Sequence, residues 1–184
     1  MTLFAMFMSP DEAHFFGTRM GSETCYHIVH DYGAMHDAVE AGATRLISFC
    51  QRLIVPPSVL SRLPGQCLNF HPGPPELPGR NPAFRAAEMR ARTFGVTFHT
   101  MTEKVDAGPI HEVRRFPLQV GATPEDIEVL AYQSLLNMIV QLAPVLADVH
   151  AKFEVSGETW LSQPFPSTRP RPHRSLRPAS GSEA

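Results

Sequence analysis

Residues 66–106 read QCLNFHPGPPELPGRNPAFRAAEMRARTFGVTFHTMTEKVD, and the rest of the chain has to fold around that stretch. Its opening, Cys67-Leu68-Asn69-Phe70-His71, has the character of a strand. Side chains alternate along a strand, so Asn69 and His71 point to the same side. Pro72 then stops the ladder, because it has no N–H to donate. Gly73, Pro74, Pro75, Pro78 and Gly79 build a stiff loop, and the chain restarts as a helix over Pro82–Met89. A strand that ends in an amide and an imidazole, beside a rigid loop, is where an open α/β sheet holds its ligand.

The flanking sequence supplies such a sheet. Leu3–Met8 is short, apolar and aromatic, a buried first strand. Ser9-Pro10-Asp11-Glu12 starts a helix, with a capping Ser, Pro at the first position and acids in the first turn. Cys25–Val29 is a second strand, Ala34–Ala41 a helix ended by Gly42, and Arg45–Phe49 a third strand. Short strands alternating with short helices indicate a mostly parallel, wound α/β sheet. Phe94–Met101 continues it, with Val96 and Phe98 on one face and Thr97 and His99 on the other. Ile110–Leu118 alternates as an edge or half-exposed strand. Thr123-Pro124 caps a long helix whose apolar set is Ile127, Leu130, Ala131, Leu135, Met138, Ile139, Leu142 and Leu146. Lys152–Val155 is a candidate last strand, and Trp160 can fold back onto the domain.

Composition narrows the function. With 16 Lys plus Arg against 18 Asp plus Glu, the chain is not a generally basic nucleic-acid binder. The 3 cysteines are scattered without a CxxC pair, which fits a reducing, cytoplasmic setting better than a disulfide framework or zinc site. His14, His27, His30 and His36 lack the acids or cysteines at ligand spacing that a metal site needs, so no metal is expected. No apolar run reads as a membrane span, and the apolar start has no basic residues before it, unlike a secretory signal. No Gly-rich phosphate loop follows the first strand. Residues 164–184 are rich in Pro, Ser and Arg and read as a disordered tail, leaving 1–163 as the folded domain.

Three motifs, Asn69-x-His71-Pro72, Gly95-Val96-Thr97-x-His99 and Asp106-x-Gly108-Pro109-Ile110, resemble in order and spacing those of the formyltransferases that use 10-formyltetrahydrofolate. The resemblance runs from about Thr44 to Val149. The segment NFHPGPPELPG is most similar to the branch that formylates amino groups on nucleotide-linked sugars. The resemblance implies a formyltransferase-like, Rossmann-type catalytic domain over 1–163. Its N-terminal half is shortened: 68 residues precede Asn69, against roughly eighty or more in relatives. It implies Asn69, His71 and Asp106 as the catalytic set, with His99, Thr97 and Gly108 in support. Leu53, Ile54, Val55 and Pro56 would line the slot for the folate's pterin ring. Gly73, Pro75, Glu76 and Gly79 would form the loop over the acceptor.

Those residue types suit the chemistry. An Asn amide donates to a carbonyl oxygen without titrating. An imidazole donates too, and as imidazolium adds charge, which a nearby carboxylate would favour. Asp106 can take the proton from the attacking amine. By resemblance the donor is 10-formyltetrahydrofolate and the acceptor a small primary amine, first an amino sugar on a nucleotide carrier, second glycinamide ribonucleotide. Methionyl-tRNA fits less well, because the folded part is not basic and no additional C-terminal domain is seen. Neither nucleic acid nor membrane is an expected partner, and a homodimer is open. The alternative is a shortened relative that binds folate or a partner without turnover.

Overall fold

The computed structural model describes residues 2–21 and 24–161, so the Pro/Ser/Arg-rich segment 164–184 lies outside the described residues. Six strands form one sheet: β1 (Thr2–Phe7), β2 (Thr24–Val29), β3 (Arg45–Phe49), β4 (Leu68–His71), β5 (Thr93–Thr100) and β6 (Ile110–Pro117). Their order is β2-β1-β3-β4-β5-β6. The first four strands run parallel, and β5 and β6 each pair antiparallel with the strand before. The sheet is thus mostly parallel with an antiparallel edge, as the alternation of short strands and helices leads one to expect.

The helices are α1 (Pro10–Met20), α2 (Tyr32–Glu40), α3 (Pro57–Leu60), α4 (Pro82–Glu88) and α5 (Pro124–Leu146). Capping chemistry starts the longer ones. Ser9 and Glu12 form a reciprocal capping box at α1, Thr123 and Asp126 do the same at α5, and Asp31 caps α2. The helices cover both faces. One core joins Phe16 and Met20 of α1, Ala83 and Ala86 of α4, and Ala131, Leu135 and Met138 of α5 to Phe4, Phe49, Phe70 and Phe98. The other joins Met35 and Ala38 of α2 and Val59 of α3 to Ala5, Phe7, Leu46 and Cys67. Phe4 and Phe7 therefore serve opposite layers, as do Leu46 and Ile47.

Three sequence expectations need correction. Lys152–Val155 is irregular rather than a strand; residues 151–161 lie as a strap along β6, tied by separate bonds such as Ser156 N–H to Ile110 O at 2.8 Å. Leu130 is exposed, because the buried face of α5 runs through Ile127, Ala131, Leu135 and Met138 instead. Finally, the 23 residues of α5 are long and apolar enough, by length and composition, to cross a membrane. In this fold α5 buries one face against the sheet, and its first turn carries Glu125 and Asp126.

Arg45, the charged residue of β3, anchors α5. Its side chain is fully buried in β3. The guanidinium donates to the carbonyls of Leu146, Asp148, Val149 and Ala151 at 3.0–3.3 Å. These lie at and just past the C-terminus of α5, where the helix dipole places negative charge. Burying an unpaired guanidinium would be prohibitive, and four carbonyl acceptors offset that cost.

Candidate active site

Strand pairing assembles the centre of the site. In the β4–β5 register Asn69 lies opposite His99 and His71 opposite Thr97, so the two motifs meet across one ladder. A β-bulge between Phe98 and His99 on the β6 side breaks the regular ladder beside this pair. On the reverse face Phe70 stacks on Phe98 at 4.8 Å, which fixes the same register from below.

The loop after β5 brings in the carboxylate. Asp106 has φ 44°, a left-handed conformation that Asp tolerates better than most residues. Gly108 is required two residues on, because a Cβ there would run into the carbonyl oxygen of Thr100. Asp106 Oδ2 accepts the Gly79 N–H at 2.6 Å and stands 3.4 Å from His71 Nδ1. Its Oδ1 is 3.5 Å from His99 Nε2. His99 gives Nδ1–H to Thr100 O at 2.9 Å, which leaves Nε2 to receive the Asn69 amide at 3.0 Å. His71 gives Nε2–H to Leu77 O at 3.3 Å. Thr97 donates to Gly73 O at 2.7 Å, so it braces the loop.

Burial decides the charge states. His71 is 5% exposed, His99 2% and Asp106 9%. Burial pushes the His71 imidazole below its ordinary range, and the Asp106 carboxylate, which pulls the other way, does not make up the difference. The expectation that Asp106 holds His71 charged is therefore reversed in the resting site, where the ring is neutral at pH 7. For Asp106, burial pushes the carboxyl up, but the charge that His71 and His99 carry when protonated, together with the Gly79 N–H, outweighs it and holds the group down to about 2. Asp106 is ionised. Cys67 and Cys50 are thiols rather than nucleophiles, pushed by burial up to about 11 and about 12.

Asn69, His71, His99 and Asp106 open onto one cleft of about 1260 Å³ at the carboxyl end of β4. Leu53, Ile54 and Val55 line it; Pro56 does not. In the loop 73–79 only Pro78 and Gly79 reach the cleft. Gly73 is buried against His71 and Pro82, with room for no Cβ, and Pro75 is buried with its carbonyl accepting from Leu161 N–H. Glu76 faces away and pairs with Arg115 at 2.7 Å, so the acceptor-loop reading of Gly73, Pro75 and Glu76 is not supported. The opposite wall was missed: Glu125, Glu128, Val129, Tyr132, Gln133 and Leu136 of α5 line the cleft. Their helical spacing was visible, but attention to the apolar stripe on the other face hid it. Arg80, Phe84, Arg85 and Lys104 complete the rim. Among the described residues no group of three or more His, Cys, Asp or Glu could hold a metal ion.

A wound α/β sheet with an amide, two imidazoles and a carboxylate converging at a strand end defines a small-molecule site of the acid–base or group-transfer kind. The comparisons with known proteins give the family. The formyl transferase family model matches residues 33–138, more than half of the chain, and the chain belongs to that family. A curated relative, the phosphoribosylglycinamide formyltransferase of Escherichia coli (strain K12), is 31% identical over 75 residues, which is 40% of this chain and only 35% of that enzyme's length. Among solved structures, a sugar N-formyltransferase from a Shewanella species matches 88% of this chain and 75% of its own at TM-score 0.68 and 16% identity. The formyltransferase PseJ from Anoxybacillus kamchatkensis, solved with UDP-4,6-dideoxy-4-formamido-L-AltNAc and tetrahydrofolate, matches 88% and 85% at TM-score 0.69 and 17% identity. The phosphoribosylglycinamide formyltransferase of Anaplasma phagocytophilum matches 87% and 96% at 0.64 and 14%. At these identities the structural likeness concerns the fold.

Proposed function

We propose that this chain moves a formyl group from 10-formyltetrahydrofolate to a primary amine, the amino group of a nucleotide-linked sugar. The observation that carries the reading is the convergence of Asn69, His71 and Asp106 around one point of the cleft, with His71 Nδ1 3.4 Å from Asp106 Oδ2. Membership of the formyl transferase family supports the reaction class. The sugar acceptor is supported by the likeness of NFHPGPPELPG to the sugar-directed branch and by a cleft large enough for two ligands.

The amine nitrogen attacks the formyl carbon, and the carbonyl oxygen becomes an oxyanion. Asn69 donates to that oxygen with the hydrogen not given to His99, and His71 turns its Nε2–H from Leu77 O to the same atom. A neutral imidazole that donates does so without first taking a charge into a buried site. Asp106, ionised, takes a proton from the amine. The bond from the formyl carbon to the folate N10 then breaks, N10 takes up the proton that Asp106 removed from the amine, and tetrahydrofolate and a formamide leave. The pterin ring occupies the slot lined by Leu53, Ile54 and Val55, where backbone groups read it. Placing donor and acceptor side by side in one cleft supplies the orientation the reaction needs.

Steady-state assay with 10-formyltetrahydrofolate and a panel of amines tests the reading. Amine-dependent release of tetrahydrofolate that is lost in His71→Gln and Asp106→Asn supports it. Tight folate binding with no release under any amine would instead identify a binding protein.

A further inference from the structure

One side chain touches both imidazoles and the loop that carries the carboxylate, and belongs to none of the site's motifs. Trp160, in the strap that follows α5, sets its ring edge-on to His99 at 4.9 Å and 82°, and to His71 at 5.7 Å and 73°. Its Nε1–H donates to Gly108 O at 2.8 Å, two residues beyond Asp106. The indole therefore backs both imidazoles and at the same time pins the loop that carries the carboxylate. Tyr and Trp are suited to such a place because a flat apolar body and one polar handle act together.

The strap is held in register on its own account. Ser156 bonds Ile110 O through both its N–H and its hydroxyl. Arg115 grips Glu158 with both terminal nitrogens, at 2.5 and 3.0 Å, and reaches Glu76 with one of them. Leu161 N–H donates to Pro75 O at 3.0 Å. Trp160 thus sits between two anchors, one on β6 and one on the loop after β4, and its ring position is fixed from both sides.

We propose that Trp160 is a positioning residue of the site, which holds the His71 and His99 rings against the cleft and locks the Asp106 loop through the Gly108 carbonyl. It touches no substrate; it acts through His71 and Asp106, which do, and through His99, which holds the Asn69 amide. The kinetic consequence rests on the formyl-transfer reading, but the geometric one does not, and the test uses both.

Two variants of the full chain, Trp160→Phe and Trp160→Leu, separate the indole's N–H from its bulk. Steady-state assay with 10-formyltetrahydrofolate and the best amine should show kcat down about tenfold for Trp160→Phe and about a hundredfold for Trp160→Leu, with the donor KM within about twofold of the parent. Hydrogen–deuterium exchange reads the positioning without turnover. The Gly79 amide, held by Asp106 Oδ2, and the amides of 104–108 should exchange about tenfold faster in Trp160→Phe, while those of β1 and β2 do not change. Unchanged exchange at Gly79, or protection lost evenly across the sheet, overturns the inference whatever the kinetics show. A parent without transfer to any amine overturns the proposed function and leaves the exchange result to decide this one.

Discussion

Replacing Asp106 with Asn keeps the size and one acceptor oxygen but removes the charge. The carboxyl is held from its ordinary value of 3.8 to about 2, so the ionised form is favoured in the folded chain. Taken whole, that shift corresponds to about 2 kcal/mol. Neutral His71 and His99 rings do not contribute their share, so the net value is about 1–2 kcal/mol. For a chain of this size that is a fall in Tm of about 2–8 °C at pH 7. Its burial and the Gly79 bond give Asp106 structural weight as well. The charge is worth more in the reaction, where a missing general base costs about 10²–10⁴ in rate. Differential scanning calorimetry and the tetrahydrofolate-release assay measure the two effects on one preparation. A folded Asp106→Asn variant with turnover within tenfold of the parent would refute the role given to the carboxylate. Equal stability at pH 7 would refute the ionised, hydrogen-bonded Asp106 described above.

Three other outcomes follow from particular contacts. Gly108→Ala drives a methyl into the Thr100 carbonyl and should cost several kcal/mol, on the order of 3, read as a lower urea midpoint; an unchanged midpoint would contradict the loop geometry. Arg45→Leu removes the donor to four carbonyls at the end of α5 and should cost about 3–5 kcal/mol, with early exchange of the last turn of that helix. The pH dependence has a definite sign. His71 is depressed by burial, so below about pH 6.5 the unfolded chain binds a proton that the folded chain refuses. The stability tied to the neutral ring is complete above that pH and is lost as pH falls, and Asp106 adds a further loss below about pH 4. Thermal scans of the parent should therefore fall more steeply between pH 6.5 and 5 than scans of His71→Gln.

The wound sheet was legible because each strand and helix carries its own local signal. The alternation in β4 and β5 put Asn69 with His71 and Thr97 with His99 before any pairing was known. What local pattern cannot show is which distant groups face each other. Arg45 looks like a stray polar residue in an apolar strand until the end of α5 brings four carbonyls to it. Glu76 sits in a loop that passes the site, but Arg115 from β6 turns its carboxylate away. The charge state of His71 depends on how completely the fold removes water, and neighbouring sequence suggested the opposite sign. Trp160 lies 54 positions beyond Asp106 with no motif around it, and only the strap's bonds to β6 and the loop bring it home.

A structure of the chain with a stable 10-formyltetrahydrofolate analogue tests the central claim most directly. The pterin should lie between Leu53, Ile54 and Val55, with the formyl oxygen in hydrogen-bond reach of Asn69 Nδ2 and His71 Nε2 and Asp106 facing open cleft beside the formyl carbon. An analogue bound elsewhere, or with its formyl group turned from all three side chains, would contradict it.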